Sequence, residues 1–467
     1  MIQGYPDEPA IDPGETLVLR VSTDAPAFRA DFYRQGRRLD LVGSSEWLPG
    51  RLSPPHSPFQ DWSVEGVGLE GEPLAAWPPY RFEIPAEWTS GVYIAVLVEG
   101  DGRGDAASPA GGATADGREA RALFVLRRRP GVKPAGILYK LPLFTYHAYN
   151  QASAAAYDPA RRSGGWSLYT VPRPEHLPRP VPPAVSLHRP GGGTGGTPTD
   201  MFNRDPFDPT PRQTFVHWDA RFVAWLEENG YPADYCTDLD VHRSPLEGCS
   251  LLLCVGHDEY WSDAMREHVD CFVRGGGNVA FFSGNTCWYR VAFDDETSFR
   301  RLHPWFEAGE GRPPENTTTG VSYRNGGERR LQDPLVPFGY RVQHADHWVY
   351  EGTGLREGEV FGGAPDEHLV GYECDGAEFD RGCLADGSPA RPTGRDGTPL
   401  DFTILGVADV RSGGWGLGNG AATMGVHGDR GTVFTASTTD WARVLTDKPG
   451  GPVETVTRNV LDRLGGC

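Results

Sequence analysis

Short runs of alternating apolar and polar residues dominate the first part of the chain. Such runs, separated by turn-rich segments, predict β-strands that each bury one face. The predicted strands are "TLVLRVST" at 16–23, "FRADFYRQ" at 28–35, "YRFEIP" at 80–85, "GVYIAVLVEG" at 91–100 and "ALFVLRRR" at 122–129. Several short strands of this kind favour an immunoglobulin-like β-sandwich domain at 1–130, with a Gly-, Ala- and Asp-rich loop at 101–121.

From residue 131 onward the pattern changes. Continuous apolar runs alternate with segments in which apolar residues recur at helical spacing. The predicted strands are "GILYKLP" at 136–142, "ADYCTD" at 233–238, "SLLLCVG" at 250–256 and "NVAFFSG" at 278–284. Apolar residues every three or four positions predict helices at 215–230 and 263–274, the second capped by Ser262. Strands alternating with helices predict an α/β domain at 131–467 with a doubly wound, glutamine-amidotransferase-like parallel sheet.

The later part of this domain has a less regular pattern. Short strands such as 347–352 and 369–374 alternate with Gly-rich loops, which predicts an antiparallel β insertion or extension within 290–435. A further strand at 431–437 and a closing helix at 453–464 follow. The segment 171–213 is dense in Pro and Gly, which is typical of a functional lid, an oligomer contact or disorder.

Composition and charge narrow the classes of function. The chain has 44 Lys and Arg against 63 Asp and Glu, a net charge of −19, and this acidity disfavours nucleic acid or an anionic membrane as partner. The N-terminus lacks the basic and apolar segments of a signal peptide, and no apolar run is long enough to span a membrane. We therefore expect a cytoplasmic protein.

The eight cysteines are expected to be buried free thiols, because the chain shows no export signal. Cys374 and Cys383 are the first pair to examine for a disulfide bridge. The chain contains no C-x2-C spacing of the kind that would indicate a zinc site.

Candidate chemistry follows from the rule that ligands bind at the carboxyl ends of parallel strands. Each of the four predicted strands is apolar and is followed by polar residues. These residues are Tyr146, His147, Tyr149 and Asn150 after the first strand, Thr237, Asp238 and Asp240 after the second, His257, Asp258, Glu259 and Tyr260 after the third, and Asn285 and Thr286 after the fourth. The sequence therefore predicts an active site around "HDEYWS" at 257–262.

Each candidate residue has a functional and a structural interpretation. Glu259 is either a ligand or base, or a first-turn acid that favours the helix dipole. His257 suits a metal ligand, a proton shuttle or an orienting group, or else a hydrogen-bonded histidine below the loop. Asn285 suits an oxyanion donor or a turn residue in a left-handed conformation. Cys287 is a weaker candidate for a nucleophile, and the chain has no G-x-S-x-G elbow.

At these residues the chain resembles the large (beta) subunit of N,N-dimethylformamidase and its relatives. The similarity covers most of the chain and keeps the order of the segments. The matching segments are "FTYHAYN" at 144–150, "GGWSLYT" at 164–170, "DYCTDLD" at 234–240, "GHDEYWSDAMREHVD" at 256–270, "GGGNVAFFSGNTCWYRV" at 275–291, "HLVGYECD" at 368–375 and "VFTASTTDWA" at 433–442.

The resemblance implies an amide hydrolase with one mononuclear ferric ion, Fe(3+), held by two tyrosinates and a glutamate. By motif position the glutamate is Glu259, and the tyrosines are Tyr149 and Tyr169, with Tyr146 as the competitor for the first. The same correspondence implies catalytic roles for Asn285 and for a later glutamate, matched by Glu373. Phenolate and carboxylate are hard oxygen donors, which suit a hard trivalent ion.

In this interpretation Glu373 or His257 is the base and Asn285 holds the oxyanion. The expected partner is a small-molecule amide; the oligomeric state and the need for a small accessory subunit stay open. Two alternatives remain. One is a non-catalytic protein that binds a carbohydrate or peptide, and the other is a metal-free hydrolase that uses Glu259 with His257 or Cys287.

Overall fold

The structure is a computed structural model that describes residues 2–53, 77–102, 119–150, 168, 184–194, 205, 207–309, 311–328, 338–413 and 419–466. It divides into two compact units. The first consists of Met1–Lys133, Leu143–Asp240 and Val291–Arg301, and the second of Pro134–Pro142, Val241–Arg290 and Leu302–Cys467. The first unit therefore contains segments beyond the predicted domain 1–130, and the predicted division into two domains stays a prediction.

The strands are β1 Gln3–Pro6, β2 Ala10–Ile11, β3 Thr16–Ser22, β4 Ala27–Gln35, β5 Leu39–Ser44, β6 Leu48–Pro49, β7 Pro79–Glu83, β8 Gly91–Gly100, β9 Glu119–Leu126, β10 Ile137–Leu141, β11 Ala184–Ser186, β12 Ala233–Thr237, β13 Leu251–His257, β14 Tyr260–Ser262, β15 Asn278–Gly284, β16 Tyr289–Phe293, β17 Ser298–Pro304, β18 Ser322–Glu328, β19 Tyr340–Val342, β20 Val360–Phe361, β21 Glu373–Gly376, β22 Thr403–Asp409, β23 Ala421–His427 and β24 Val433–Thr435.

The helices are α1 Leu143–Tyr149, α2 Phe215–Trp218, α3 Ala220–Glu228, α4 Asp238–Arg243, α5 Asp263–Arg274, α6 Asn316–Thr319, α7 Cys383–Asp386, α8 Trp441–Asp447 and α9 Pro452–Gly465, with 3-10 turns at Trp305–Glu307, Trp348–Tyr350 and Val410–Gly413. Among the described residues, none of these helices combines the length and the apolar composition that crossing a membrane requires.

A β-sandwich forms the N-terminal part of the first unit. One sheet has the order β1-β3-β7 and the other the order β2-β9-β8-β4-β5, with β6 paired to β4. Along β3 the side chains of Leu17, Leu19 and Val21 are fully buried, while the alternate residues are half-buried. The apolar residues of both sheets share one core, which includes Phe28 and Phe124. The predicted strands at 1–130 are therefore present, because alternation directs every second side chain inward.

The rest of the first unit adds detail to the sequence prediction and corrects it at one helix. The residues after β10 form helix α1. The predicted helix 215–230 is interrupted at Asp219, between α2 and α3. The Asp219 carboxylate accepts a hydrogen bond from the Tyr146 hydroxyl of α1. Part of the predicted loop 171–213 is also regular, since β11 pairs antiparallel with β17.

The central sheet of the second unit is mixed. Its strands follow the order β10-β13-β15-β24-β23-β22-β19-β20. The first four are mutually parallel, and the strands from β23 onward are antiparallel to their neighbours. The antiparallel part agrees with the predicted extension of the sheet. The doubly wound, glutamine-amidotransferase-like arrangement stays a prediction.

Both faces of the parallel part are covered, which explains its continuous apolar strands. Phe281 and Phe282 are neighbours on β15 and therefore point to opposite faces. The Phe282 ring lies 5.4 Å from Trp441 of α8, and the Phe281 ring lies 6.1 Å from Trp261.

Helix α5 begins and ends where the sequence predicts. The Ser262 hydroxyl accepts a hydrogen bond from the Met265 backbone N–H at 3.2 Å, as an N-cap residue does. Met265 and Val269 are buried, and Gly275 caps the C-terminus.

In the remaining part of the second unit, the observed elements differ most from the predicted strands. The predicted strand 347–352 is wrong, because Trp348–Tyr350 forms a 3-10 turn. The predicted strand at 369–374 begins only at Glu373. Cys374 and Cys383 are both free thiols, so the disulfide that we considered for this pair is absent.

Candidate active site at the ends of the parallel strands

Strands β13 and β15 bring the predicted active-site residues together. Their parallel register pairs His257 with Gly284, so the residues after both strands emerge side by side. His257, Glu259 and Asn285 are all buried, with exposed fractions of 0%, 1% and 2%. The rule on strand ends therefore identified a region in which polar side chains gather inside the protein.

A third strand, β21, adds two carboxyl groups to this region. Glu373 begins the strand, and its Oε2 lies 2.7 Å from His257 Nε2. Asp375 follows two positions later, where strand alternation directs it to the same face. We call His257, Glu259, Asn285, Glu373 and Asp375 the strand-end cluster.

Gly284 allows this close packing. A Cβ atom at this position would meet the Glu373 carbonyl oxygen and the Thr439 nitrogen, each at 2.7 Å. Only glycine lets the end of β15 approach the backbone of β21 so closely.

His257 is the centre of the cluster. Besides Glu373, its Nε2 faces Glu259 Oε2 at 3.4 Å and Asn285 Nδ2 at 3.4 Å. Burial disfavours the charged imidazolium, but the carboxylates of Glu373, Glu259 and Asp258 outweigh it and raise the pKa of His257 above its usual value. The imidazole therefore lies between acid groups that stabilise its protonated form.

Asp258 anchors the segment between His257 and Glu259. Its Oδ1 accepts hydrogen bonds from Lys140 Nζ at 2.8 Å and from Trp261 Nε1 at 3.0 Å. Lys140 and Asp258 are both fully buried, and the Lys140 ammonium lies 5.0 Å from the centre of the Trp261 ring. The ion pair ties β10 to the carboxyl end of β13.

The turn after β15 has an unusual backbone. Asn285 and Cys287 have φ angles of 50° and 55°, in the left-handed region that non-glycine residues rarely adopt. The Thr286 backbone N–H donates to Asp375 Oδ2 at 3.1 Å, and the Cys287 N–H donates to the Asp258 carbonyl at 2.9 Å. The turn is therefore held from both sides.

Several buried polar atoms in this region have no hydrogen-bond partner among the described residues. They are Asp258 Oδ2, Asn285 Oδ1, Glu373 Oε2 and Asp375 Oδ1. Of these atoms, Glu373 Oε2 lies 2.7 Å from His257 Nε2 and faces it as an ion-pair partner. Buried polar atoms without partners commonly bind water, ions or substrate.

The predicted tyrosine ligands come from other segments of the chain. The Tyr146 hydroxyl donates to Asp219 within the first unit, and the choice between Tyr146 and Tyr149 as a ligand stays a prediction. Tyr149 is buried at the end of α1, also in the first unit. Tyr169 lies outside the described residues.

The donor chemistry near Glu259 suits a cation. Asp258, Glu259 and Glu373 are buried together with the bases Lys140 and His257, so acid groups outnumber basic groups. Within the described ranges no three His, Cys, Asp or Glu side chains form a metal-binding group. A ferric site of two tyrosines and one glutamate has only one ligand of these four residue types, so it is a different kind of site.

Sequence reasoning missed two residues of this region. Lys140 lies inside the apolar run "GILYKLP", and a charged residue in a buried strand signals a buried partner. Asp375 shares a strand face with Glu373 in "GYECD", and strand alternation alone indicates this proximity.

Comparisons with known proteins identify a family. A family model described as "N,N-dimethylformamidase beta subunit-like, C-terminal" matches residues 28–453. No curated protein matches the chain. Among solved structures, the chain is similar to a cycloisomaltooligosaccharide glucanotransferase from Paenibacillus sp., complexed with cycloisomaltoheptaose, at 9% identity and a TM-score of 0.15. That match covers 32% of this chain and 18% of the other, and a TM-score this low supports no conclusion about fold or function.

Proposed function

The chain belongs to the N,N-dimethylformamidase beta subunit-like family, and from this premise we propose that it is a hydrolase that cleaves the C–N bond of a small amide or formamide. The main support is the buried contact of 2.7 Å between Glu373 and His257, with the Asn285 amide beside it. Amide hydrolysis needs groups that transfer protons and a donor that stabilises the oxyanion. A carboxyl group, an imidazole and an amide that lie close together meet this need.

The two proton-transfer roles follow from the contact of the pair. His257 Nε2 lies 2.7 Å from Glu373 Oε2, so the imidazole is placed to exchange a proton with this carboxylate and to donate one to the leaving amine. Glu373 then acts as the base that takes a proton from the attacking water. The water oxygen bonds to the amide carbon, the C–N bond breaks, and the amine leaves with a proton delivered by His257.

Asn285 stabilises the charge that develops on the amide oxygen. Its Nδ2 lies 3.4 Å from His257 Nε2, so donor and imidazole face the same space. Removing one such donor typically lowers turnover by about 10²–10³-fold.

A ferric ion is the cofactor that we propose, held by Tyr149, Tyr169 and Glu259. When bound, such an ion supplies Lewis acidity that polarises the amide carbonyl. The excess of buried acid groups around Glu259 supports a cation here. The backbone of Glu259 is held in place by the Tyr289 N–H, which donates to the Glu259 carbonyl at 2.9 Å.

The metal-free mechanism that uses Cys287 has less support. Burial raises the pKa of the Cys287 thiol well above its ordinary value. The thiolate is the nucleophilic form of cysteine, and this environment disfavours it.

Turnover of small amides by the Glu373→Gln variant tests the catalytic proposal. Formamide, N,N-dimethylformamide and acetamide are offered to the wild-type protein, and the release of ammonia or dimethylamine is measured. We expect Glu373→Gln to lower kcat by at least about 10²-fold, the lower range for a general base. Glu378→Gln is the matched control, because Glu378 pairs with Arg395 near the surface. An unchanged rate in Glu373→Gln would remove Glu373 from catalysis.

Metal content tests the cofactor separately. Mass spectrometry of the purified protein should give about one iron per chain, with a visible tyrosinate-to-iron absorption band. Glu259→Ala should lose the iron while remaining folded, and Tyr169→Phe should lose the band. Tyr33→Phe, a buried tyrosine of the sandwich, is the control and should keep both. Iron-free, colourless protein after reconstitution would contradict the ferric site and favour the ligand-binding or metal-free alternatives.

A further inference from the structure

Asp375 is a fully buried carboxyl group that the catalytic proposal does not use. It lies on β21 two residues after Glu373, and its own backbone N–H donates to the Ser437 carbonyl at 3.1 Å. The Asp375 backbone is therefore held in the same strand that supplies the proposed base.

The partner of Asp375 is the strained turn after β15. Oδ2 accepts the Thr286 N–H at 3.1 Å, while Asn285 and Cys287 on either side of Thr286 have left-handed φ angles. Such conformations persist only when surrounding contacts enforce them. The Ser283 and Thr286 hydroxyls, 2.9 Å apart, add a second contact within the turn.

We propose that Asp375 is the positioning residue for Asn285: by holding the Thr286 N–H, it keeps Asn285 left-handed and directs the Asn285 amide toward His257. This inference rests on the proposed function, since it assigns Asn285 its role there. Strand β21 then supplies both the base, Glu373, and the residue that orients the oxyanion donor.

The protonation of Asp375 fits this role. Burial and the nearby carboxylates of Glu373 and Glu315 raise its pKa to about 8, although the Thr286 N–H opposes the shift. At neutral pH the side chain is then mainly an uncharged acid, with one acceptor oxygen toward Thr286. An asparagine side chain offers the same acceptor without charge.

The matched variants Asp375→Asn and Asp375→Leu separate the acceptor from the shape of the side chain. Both are purified as the full chain, and their crystal structures, kcat, KM and unfolding temperatures are compared with wild type. In Asp375→Leu we expect Asn285 to leave the left-handed region, its contact with His257 to be lost, and kcat to fall by about 10²–10³-fold at unchanged KM. Asp375→Asn should retain the Asn285 conformation and most of the turnover.

Asp208→Leu is the control for losing a buried, turn-holding carboxylate elsewhere. Asp208 is also buried and accepts a backbone N–H, that of Thr210, at 2.8 Å, but it lies in the first unit. We expect this variant to lower the unfolding temperature and leave kcat unchanged. If Asp375→Leu does not fold, Asp375→Ala replaces it in the same comparison.

Two results would overturn the proposal. One is an Asp375→Leu or Asp375→Ala structure in which Asn285 keeps its position, and the other is an Asp375→Asn variant as impaired as the apolar ones. The crystal structures are informative even if the wild-type protein hydrolyses no amide. Failure of the proposed function, seen as full activity in Glu373→Gln, is therefore distinguishable from failure of this inference.

Discussion

The sandwich of the first unit and the strand ends of the second unit each bury a carboxylate that is paired with a base. The two carboxylates differ in how their oxygen atoms are hydrogen-bonded. In the sandwich, Arg29 and Asp31 form a buried ion pair with two parallel hydrogen bonds of 2.9 and 3.0 Å, so each Asp31 oxygen has a donor. In the second unit, both donors to the Asp258 side chain reach Oδ1, and Oδ2 has no hydrogen-bond partner among the described residues.

The difference indicates what each region is built for. The sandwich core consists of interlocking apolar side chains, whose burial stabilises the fold. Buried polar atoms without a hydrogen-bond partner among the described residues occur in both regions, for example Arg34 Nε in the sandwich and Asn285 Oδ1 in the strand-end cluster. Left-handed non-glycine residues, which destabilise the folded state, occur in the turn after β15 and not in the described part of the sandwich. Features of this kind are typical of functional sites.

Lys140→Met should cause the largest loss of stability. It leaves the Asp258 carboxylate buried without its cation, and breaking a buried pair in this way costs about 3–5 kcal/mol. The free energy of unfolding from urea titration measures the loss. The double variant Lys140→Met/Asp258→Asn removes both charges and should recover much of it. Equal stability of the single and double variants would show that charge burial is not the cause.

Leu19→Ala should lower stability by about 3 kcal/mol, because it opens a cavity in the fully buried sandwich core. The turnover of amides at a temperature well below unfolding should be unaffected. Val18→Ala, at the half-buried neighbouring position, is the control and should cost much less. A selective fall in kcat for Leu19→Ala would contradict the prediction that the sandwich core affects stability and not turnover.

Asp375→Asn should change how stability depends on pH. The pKa of Asp375 is about 8 in the folded protein, above its unfolded value, so the folded state binds the extra proton. Wild-type stability is then lost as the pH rises from about 4 to about 8. The variant lacks this titration, so its free energy of unfolding should fall less than that of the wild type between pH 4 and pH 8. Parallel stability curves from pH 4 to 8 would contradict this prediction.

Ser262→Ala should have the smallest effect, about 1 kcal/mol, through loss of the N-cap of α5. Ser262→Thr retains a hydroxyl and should restore most of the stability. A thermal unfolding series of the three proteins gives the measurement. A loss above that of Leu19→Ala would mean that the contact of 2.8 Å between Ser262 Oγ and His242 Nδ1 contributes more than the cap.

Local signals account for the parts of the structure that the sequence predicted well. The Ser262 cap, the spacing of Met265 and Val269 and the closing glycines defined α5 without any distant partner. Continuous apolar runs indicated β13 and β15, and the rule on parallel strands then brought His257 and Asn285 together. These inferences needed only information from neighbouring residues.

Long-range pairing accounts for most of the rest. Glu373 faces His257 only because β21 packs across the end of β15, and the sequence indicated this residue only through the family resemblance. The segment 347–352 has the composition of a strand, but its Tyr350 is buried and its hydroxyl donates to the Leu405 carbonyl, so tertiary contacts overrode the local preference. The roles of Tyr149 and Tyr169 stay predictions.

The order of strands in the central sheet also affects how the protein folds during synthesis. The nine strands of the sandwich that the described residues contain lie within the first 126 residues and can pair as soon as they leave the ribosome. Strand β15, in contrast, waits for β24, which is made near the end of the chain. Until then one edge of β15 has no partner, and exposed edges of apolar strands promote aggregation. Expression yield should therefore depend more on chaperones that protect the second unit than on any property of the sandwich.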